Sequence, residues 1–195
     1  MSVTSTCGEA DPLYGTGCEA WQLQIGLAAE PGLVAAQALV SAHGDAALHV
    51  IPPAFLHVTV LPLIDVAERL SAPPAVLWDR HGATWQRAIA DACRATSPFR
   101  MHFARLRAFP RAIVALDGIN PLAALRARLA GGCALPERPV RLPGITHVTL
   151  ARFRQAARVS IPEALDVSVE VRQLRLVRET VYPTLAFETV ATFAL

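Results

Sequence analysis

Two short phrases constrain this chain more than anything else in it. His57-Val58-Thr59-Val60 and His147-Val148-Thr149-Leu150 stand 90 positions apart in a chain of 195 residues. Both lie in runs of β-branched and aliphatic residues, the composition of strands. Side chains alternate across a strand, so in each copy the His and the Thr share one face and the apolar residues take the other. Each copy therefore offers an imidazole and a hydroxyl together. A spacing close to half the chain predicts two similar halves, each contributing one such strand. Brought side by side, the two strands would line one cleft with two imidazoles and two hydroxyls, a set suited to phosphoryl chemistry.

The flanking sequence supports two α+β halves. Trp21 to Leu27 alternates as a strand. Pro31 to Gly44 opens on Pro and closes on Gly, as a helix does. His49 to Ile51 leads through Pro52-Pro53 into the first motif strand, and Asp65 to Arg80 reads as a connection without assigned structure. Trp85, Ile89, Ala92 and Cys93 fall on one face of a second helix. Phe99 to Phe103 and Arg111 to Leu116 read as strands joined around Phe109-Pro110. Asn120-Pro121 opens a third helix, with Leu122, Leu125 and Leu129 on one stripe and Gly131 as its stop. Two long strands, about 167–177 and 185–195, close the chain, and a change of apolar phase between Val171 and Leu174 predicts a bulge. Residues 1–19 show no period and read as a loose leader, and 20–195 as a single domain of two intertwined lobes. Regular βαβ alternation and a Gly-rich phosphate loop are both missing, which argues against a doubly wound nucleotide fold. The expected class is α+β, a bilobed pseudo-symmetric fold of two antiparallel-sheet lobes with flanking helices, its central cleft carrying the two H-x-T motifs.

Composition narrows the setting. The chain is 53% hydrophobic and 17% charged, globular values with no run long enough to cross a bilayer. No secretory signal is visible at the N-terminus, and a cytoplasmic home is expected. Cys7, Cys18, Cys93 and Cys133 are scattered, form no C-x-x-C pair and predict neither zinc nor disulfides. All 18 basic residues are arginine, and they are unevenly placed. Residues 1–97 hold 4 Arg against 9 carboxylates, and residues 98–195 hold 14 against 7. A basic half hints at a polyanionic partner, although surface arginine is most often a solvated face.

With its two motifs the sequence resembles the two-histidine (2H) phosphoesterase superfamily, and within it the RNA 2′,3′-cyclic phosphodiesterase / 2′-5′ RNA ligase-like branch. The second motif runs on as Ala151-Arg152-Phe153, the H-x-T-L-A-R continuation of that branch, and residues 174–195, LRLVRETVYPTLAFETVATFAL, resemble its C-terminal strand pair. The resemblance implies metal-independent hydrolysis of a 2′,3′-cyclic phosphate to a 2′-phosphate, with 2′-5′ ligation as the reverse. It implies His57, Thr59, His147 and Thr149 as catalytic residues, His147 as base and His57 as acid, with Arg152 on the phosphate. No metal or cofactor is implied. The partner would be an RNA 3′ end or a nucleotide with a cyclic phosphate, met by a monomer away from membranes. After the first motif this sequence has Leu61-Pro62, where the branch commonly has an aromatic that helps hold a base; Pro62 cannot stack in that way.

The chemistry needs these residue types. Opening a cyclic phosphodiester requires one group to take a proton from water and another to give one to the leaving ribose oxygen, and histidine titrates near neutrality. Threonine hydroxyls can donate to non-bridging oxygens. A guanidinium fork matches phosphate. Strict alternation from His147 sends Arg152 to the opposite face, so its role requires the strand to end or bulge near Ala151. His49 and His102 read as exposed or core-edge histidines and Arg138 and Arg141 as solvated loop arginines. Trp21 and Trp85 read as core, and Asp65 has no assigned direction. The competing readings are a relative acting on another small cyclic phosphate or a 2′-5′ linked nucleotide, a non-catalytic RNA-binding relative, and a metallohydrolase, for which no ligand spacing speaks.

Overall fold

The computed structural model of the protein describes residues 3–42, 45–66, 70–135 and 141–195. The chain runs through β1 (Val3–Gly8), β2 (Gly17–Gly26), α1 (Pro31–Ala42), β3 (Leu48–Val50), β4 (His57–Ile64), α2 (Pro74–Arg94) and β5 (Phe99–Phe109). It continues through β6 (Ala112–Asp117), α3 (Ala123–Gly132), β7 (His147–Phe153), β8 (Ala157–Pro162), β9 (Ala164–Val171), β10 (Gln173–Val181) and β11 (Ala186–Ala194). Two main sheets result, in the orders β11-β10-β2-β4 and β3-β7-β6-β5-β9, with β1 and β8 as a separate pair. The pairings within all three are antiparallel. The expected bilobed α+β architecture is what the chain adopts, with one motif strand in each main sheet.

Two of the helices, α1 and α3, pack on the sheet opposite the one whose strand precedes them. α1 follows a strand of the four-stranded sheet but packs on β7 and β9 of the other, through Leu33, Ala36 and Val40. These lie one helical turn apart, the spacing of a buried stripe. α2 and α3 pack on each other and against β2, β4 and β11. α2 buries Leu77, Trp85, Ile89, Ala92 and Cys93, and Trp78 on it stacks on Trp21 with ring centroids 5.2 Å apart. Trp21 and Trp85 are core residues, as read from the sequence. β4 and β7 lie against each other where the lobes meet.

Three local expectations change. α2 begins at Pro74, inside the stretch that the sequence left without structure, since Pro suits a first helical turn. The strand expected over 167–177 is two strands: β9 ends at Val171 in one sheet and β10 begins at Gln173 in the other. The phase change is thus a crossing between lobes at Arg172, where side-chain parity restarts. Residues 1–19 are not loose throughout, because β1 pairs with β8 from Val3↔Pro162 to Gly8↔Ala157. That partner lies some 150 positions away, so local periodicity could not show it. Gly8 closes against Phe153, whose ring would lie 2.3 Å from any added Cβ.

Candidate active site

Both motif strands carry a bulge just after the motif. Thr59 pairs with Gln24 and Leu61 with Leu23, so Val60 is extra. Thr149 pairs with Val114 and Ala151 with Ile113, so Leu150 is extra. An extra residue reverses the face taken by each later residue of its strand. His57, Thr59 and Pro62 therefore share one face, and His147, Thr149 and Arg152 share the other lobe's equivalent. In both strands these residues are partly exposed and the others of the stretch buried. The bulge at Leu150 is what returns Arg152 to the face of His147.

A bulge disrupts the ladder and leaves backbone groups that need partners. Each lobe supplies them from a helix. Arg126 of α3, buried, donates from Nε to Val60 O at 3.0 Å and from a terminal nitrogen to Thr59 O at 2.9 Å. Its third donor reaches Thr146 Oγ1 at 2.7 Å, just before β7. Gln37 of α1, also buried, donates to Leu150 O at 3.0 Å and Ile51 O at 2.7 Å. These two side chains pin the motif strands from behind. Sequence reasoning passed over both, although a polar residue on an apolar helical stripe was visible in each.

Between the strands lies a cavity of about 110 Å³ lined by His57, Thr59, His147, Thr149 and Arg152, together with Gln22, Glu179, Tyr182 and Thr184. All five residues singled out in the sequence thus meet in one place. His57 Nδ1 lies 2.8 Å from Phe55 O, which fixes that nitrogen as the protonated one and leaves Nε2 to the cleft. His147 makes the matching bond to the backbone of Ile145. Burial, above all, lowers the proton affinity of His57 to a pKa of about 4, with Arg175, His147 and Arg152 adding to it against the Phe55 bond. His147 is also lowered, by burial first and then by Arg152 and Arg126. Arg175 comes close because its guanidinium rests against Gly26, where a Cβ would stand 2.9 Å from Cζ.

A buried polar network supports the first motif. Thr59 Oγ1 donates to Gln22 Oε1 at 3.0 Å. Gln22 Nε2 donates to Glu179 Oε2 at 3.0 Å and to Thr184 Oγ1 at 2.8 Å. Thr184 in turn donates its hydroxyl and its backbone N–H to Glu179, at 3.1 and 2.8 Å. Burial raises the Glu179 pKa against these bonds. Arg152 donates to Asp11 Oδ2 at 2.7 Å, and its guanidinium lies 5.2 Å from the centre of the Tyr182 ring. Asp11 comes from the segment read as a leader. Glu179 comes from the end of β10, and Tyr182 and Thr184 from the β10–β11 turn, whose Tyr182–Pro183 peptide bond is cis. The Tyr-Pro pair was the available signal for that turn.

A larger cavity of about 510 Å³ adjoins the first and shares Gln22, Thr59, His147, Glu179 and Tyr182 with it. Pro62, Asp65 and Arg141 line it. Arg138 lies outside the described residues. His49 stacks on Tyr14 at 3.9 Å, His102 bonds Asp166 at 2.9 Å, and neither lines the cavity between the paired imidazoles. Among the described residues no three His, Cys, Asp or Glu side chains are grouped so as to hold a metal ion. No described helix is long and apolar enough to cross a membrane.

A family model described as the 2′-5′ RNA ligase superfamily matches residues 28–182. A solved structure from Thermus thermophilus is similar at 24% identity and a TM-score of 0.72, over 90% of this chain and 97% of that one. Escherichia coli LigT complexed with 3′-AMP is similar at 18% identity and a TM-score of 0.68, over 91% and 98%. LigT complexed with phosphate gives 18% and 0.66, over 92% and 99%. No curated protein matches the sequence.

Proposed function

The chain belongs to the 2′-5′ RNA ligase superfamily, and on that premise we propose that it is a two-histidine phosphodiesterase. It opens a 2′,3′-cyclic phosphate, on an RNA end or a nucleotide, to a 2′-phosphate without a metal. The convergence of His57, Thr59, His147, Thr149 and Arg152 on one small cavity carries this reading. LigT, of similar fold, has been seen with phosphate and with 3′-AMP, which fits a site for a nucleotide phosphate.

The proposed step is built from these side chains. His147 takes the proton of a water that attacks phosphorus in line, and the bond to the ribose 3′ oxygen breaks. His57 gives that oxygen its proton through Nε2, and the phosphate stays on the 2′ oxygen. Before substrate binds, both imidazoles are disposed to be neutral at pH 7. The acid therefore gains its proton when the phosphodiester anion enters, since a nearby negative charge favours the charged imidazole. Thr149 donates to a non-bridging oxygen, and Arg152, held by Asp11, pairs with the phosphate. Reverse ligation exchanges the roles of the two histidines.

Pro62 on the wall of the larger cavity, in place of an aromatic, favours a second reading: another small cyclic phosphate as substrate. One assay separates the two. Nucleoside 2′,3′-cyclic monophosphates and RNA oligomers with cyclic ends are offered in EDTA and the products resolved. Turnover to the 2′-phosphate, lost in His57→Ala and His147→Ala, supports the first reading. Inertness toward both substrates supports the second.

A further inference from the structure

The five-stranded sheet carries the face of His147, Thr149 and Arg152 onward across two more strands. In antiparallel pairs, residues directly opposite each other put their side chains on the same face. His147 is opposite Leu116, and Leu116 is opposite Arg105. Thr149 is opposite Val114, and Val114 is opposite Arg107. Arg152 is opposite Ala112, and Ala112 is opposite Phe109. Three parallel rows thus run from the site residues, over an apolar middle strand, to two arginines and a phenylalanine. A register shift in β5 between Phe103 and Arg105 sets this phase, as the bulge at Leu150 does in β7.

The middle row is a separate apolar cluster of Ala112, Val114 and Leu116, with Phe109 packed against it, distinct from the main core. Beyond it Arg105 and Arg107 are exposed, and neither makes an ion pair among the described residues. The Arg107 guanidinium lies 5.1 Å from the centre of the Phe109 ring. Neighbouring strands are about 4.8 Å apart, so these cations sit roughly 10 Å across the sheet from the motif strand. A mononucleotide spends its one phosphate between the two histidines and has no second charge to place there. A strand whose 3′ end occupies the site continues past it with a charge on every phosphate.

Resting on the reading of the site as a cyclic phosphodiesterase, the geometry points to Arg105 and Arg107 as a docking track for the phosphates of a single RNA strand upstream of the reacting end. Phe109 and the guanidinium above it add a face on which a base can stack. The chain then takes RNA 3′ ends in preference to free cyclic nucleotides. It discriminates by contacts two strands away from the chemistry, where the aromatic replaced by Pro62 is not needed.

The test compares an RNA oligomer bearing a 2′,3′-cyclic end with the matching cyclic mononucleotide, in wild type, R105S/R107S and R105K/R107K. For the oligomer, kcat/KM falls by about tenfold or more in R105S/R107S, and the slope of log kcat/KM against log salt flattens by about 1.4, about 0.7 for each lost contact. The lysine pair retains most of both. Turnover of the mononucleotide stays at the wild-type value in all three proteins. Equal effects on the two substrates, or none on the oligomer, overturn the track. If wild type turns over neither substrate, the proposed function fails, and binding of the same oligomer reads the track alone. An affinity unchanged in R105S/R107S then overturns it.

Discussion

Thr59 donates its only hydroxyl proton to Gln22 Oε1, at 3.0 Å. The amide is held in that orientation because its nitrogen is already spent on Glu179 and Thr184. Thr149 makes no side-chain hydrogen bond among the described residues. Two motifs of nearly identical sequence therefore present different hydroxyls to the cleft, one with its proton engaged and one with its proton free. Thr149→Val is expected to lower kcat by about 100-fold, the cost of one lost donor to a developing charge. Thr59→Val costs less, since in the resting site that proton points elsewhere. Steady-state kinetics of the two isosteric variants on one cyclic nucleotide checks the asymmetry.

Asp11 steers Arg152 from a segment far away in sequence. Its side chain is 2% exposed and that of Arg152 17%, so the pair is shielded from solvent screening. Asp11→Asn leaves the guanidinium less well placed, and KM for a cyclic phosphate is expected to rise by roughly tenfold, about 1.4 kcal/mol. The fall in kcat should be smaller. Removing the charge itself, in Arg152→Leu, should shift both imidazoles upward, because Arg152 lowers each of them. NMR titration of the histidine rings reads that shift directly.

The bulge carbonyls predict a difference in stability. Arg126→Leu removes the bonds to Val60 O, Thr59 O and Thr146 Oγ1 at once, and of these groups Thr146 Oγ1 keeps its bond to Asn120 Oδ1. Gln37→Leu leaves Leu150 O its bond from Ile51 N. Unfolding in urea should show a loss of about 3 kcal/mol or more for Arg126→Leu and about 1–2 kcal/mol for Gln37→Leu. A reversed order would contradict the capping account.

Much of this site was legible in the sequence because its chemistry sits on two strands that announce themselves. His57, Thr59, His147 and Thr149 follow from alternation and repetition alone. Arg152 did not, since Leu150-Ala151 reads equally well as a continued strand or a bulge, and only pairing with β6 decides. Gln22 stood, with Gln24, at a polar position of an alternating strand, but its partners Glu179 and Thr184 lie more than 150 positions away. Asp11 was lost in a stretch without period. What escaped was long-range pairing, whose energy comes from neighbours that a local pattern does not contain. The split of 167–177 at Arg172 escaped for the same reason, since a change of sheet and a bulge leave the same phase mark.

Acid should weaken the fold through His57. In the folded chain its pKa falls from 6.5 to about 4, so between those values the unfolded chain holds the extra proton. Stability contributed above pH 6.5 is lost as pH falls, by up to about 3 kcal/mol near pH 4. His147, lowered as well, acts in the same direction, whereas Glu179, raised by burial, acts in the opposite one. Urea unfolding of wild type and His57→Gln at pH 7 and about pH 5 isolates the His57 part. The variant should lose less stability on acidification.

The most direct measurement of the central claim is turnover of the four nucleoside 2′,3′-cyclic monophosphates in EDTA, by wild type, His57→Ala and His147→Ala. The account predicts metal-independent conversion to the 2′-phosphate by wild type and a loss of at least about 100-fold in each variant. Turnover that survives either substitution, or that EDTA abolishes, would contradict it.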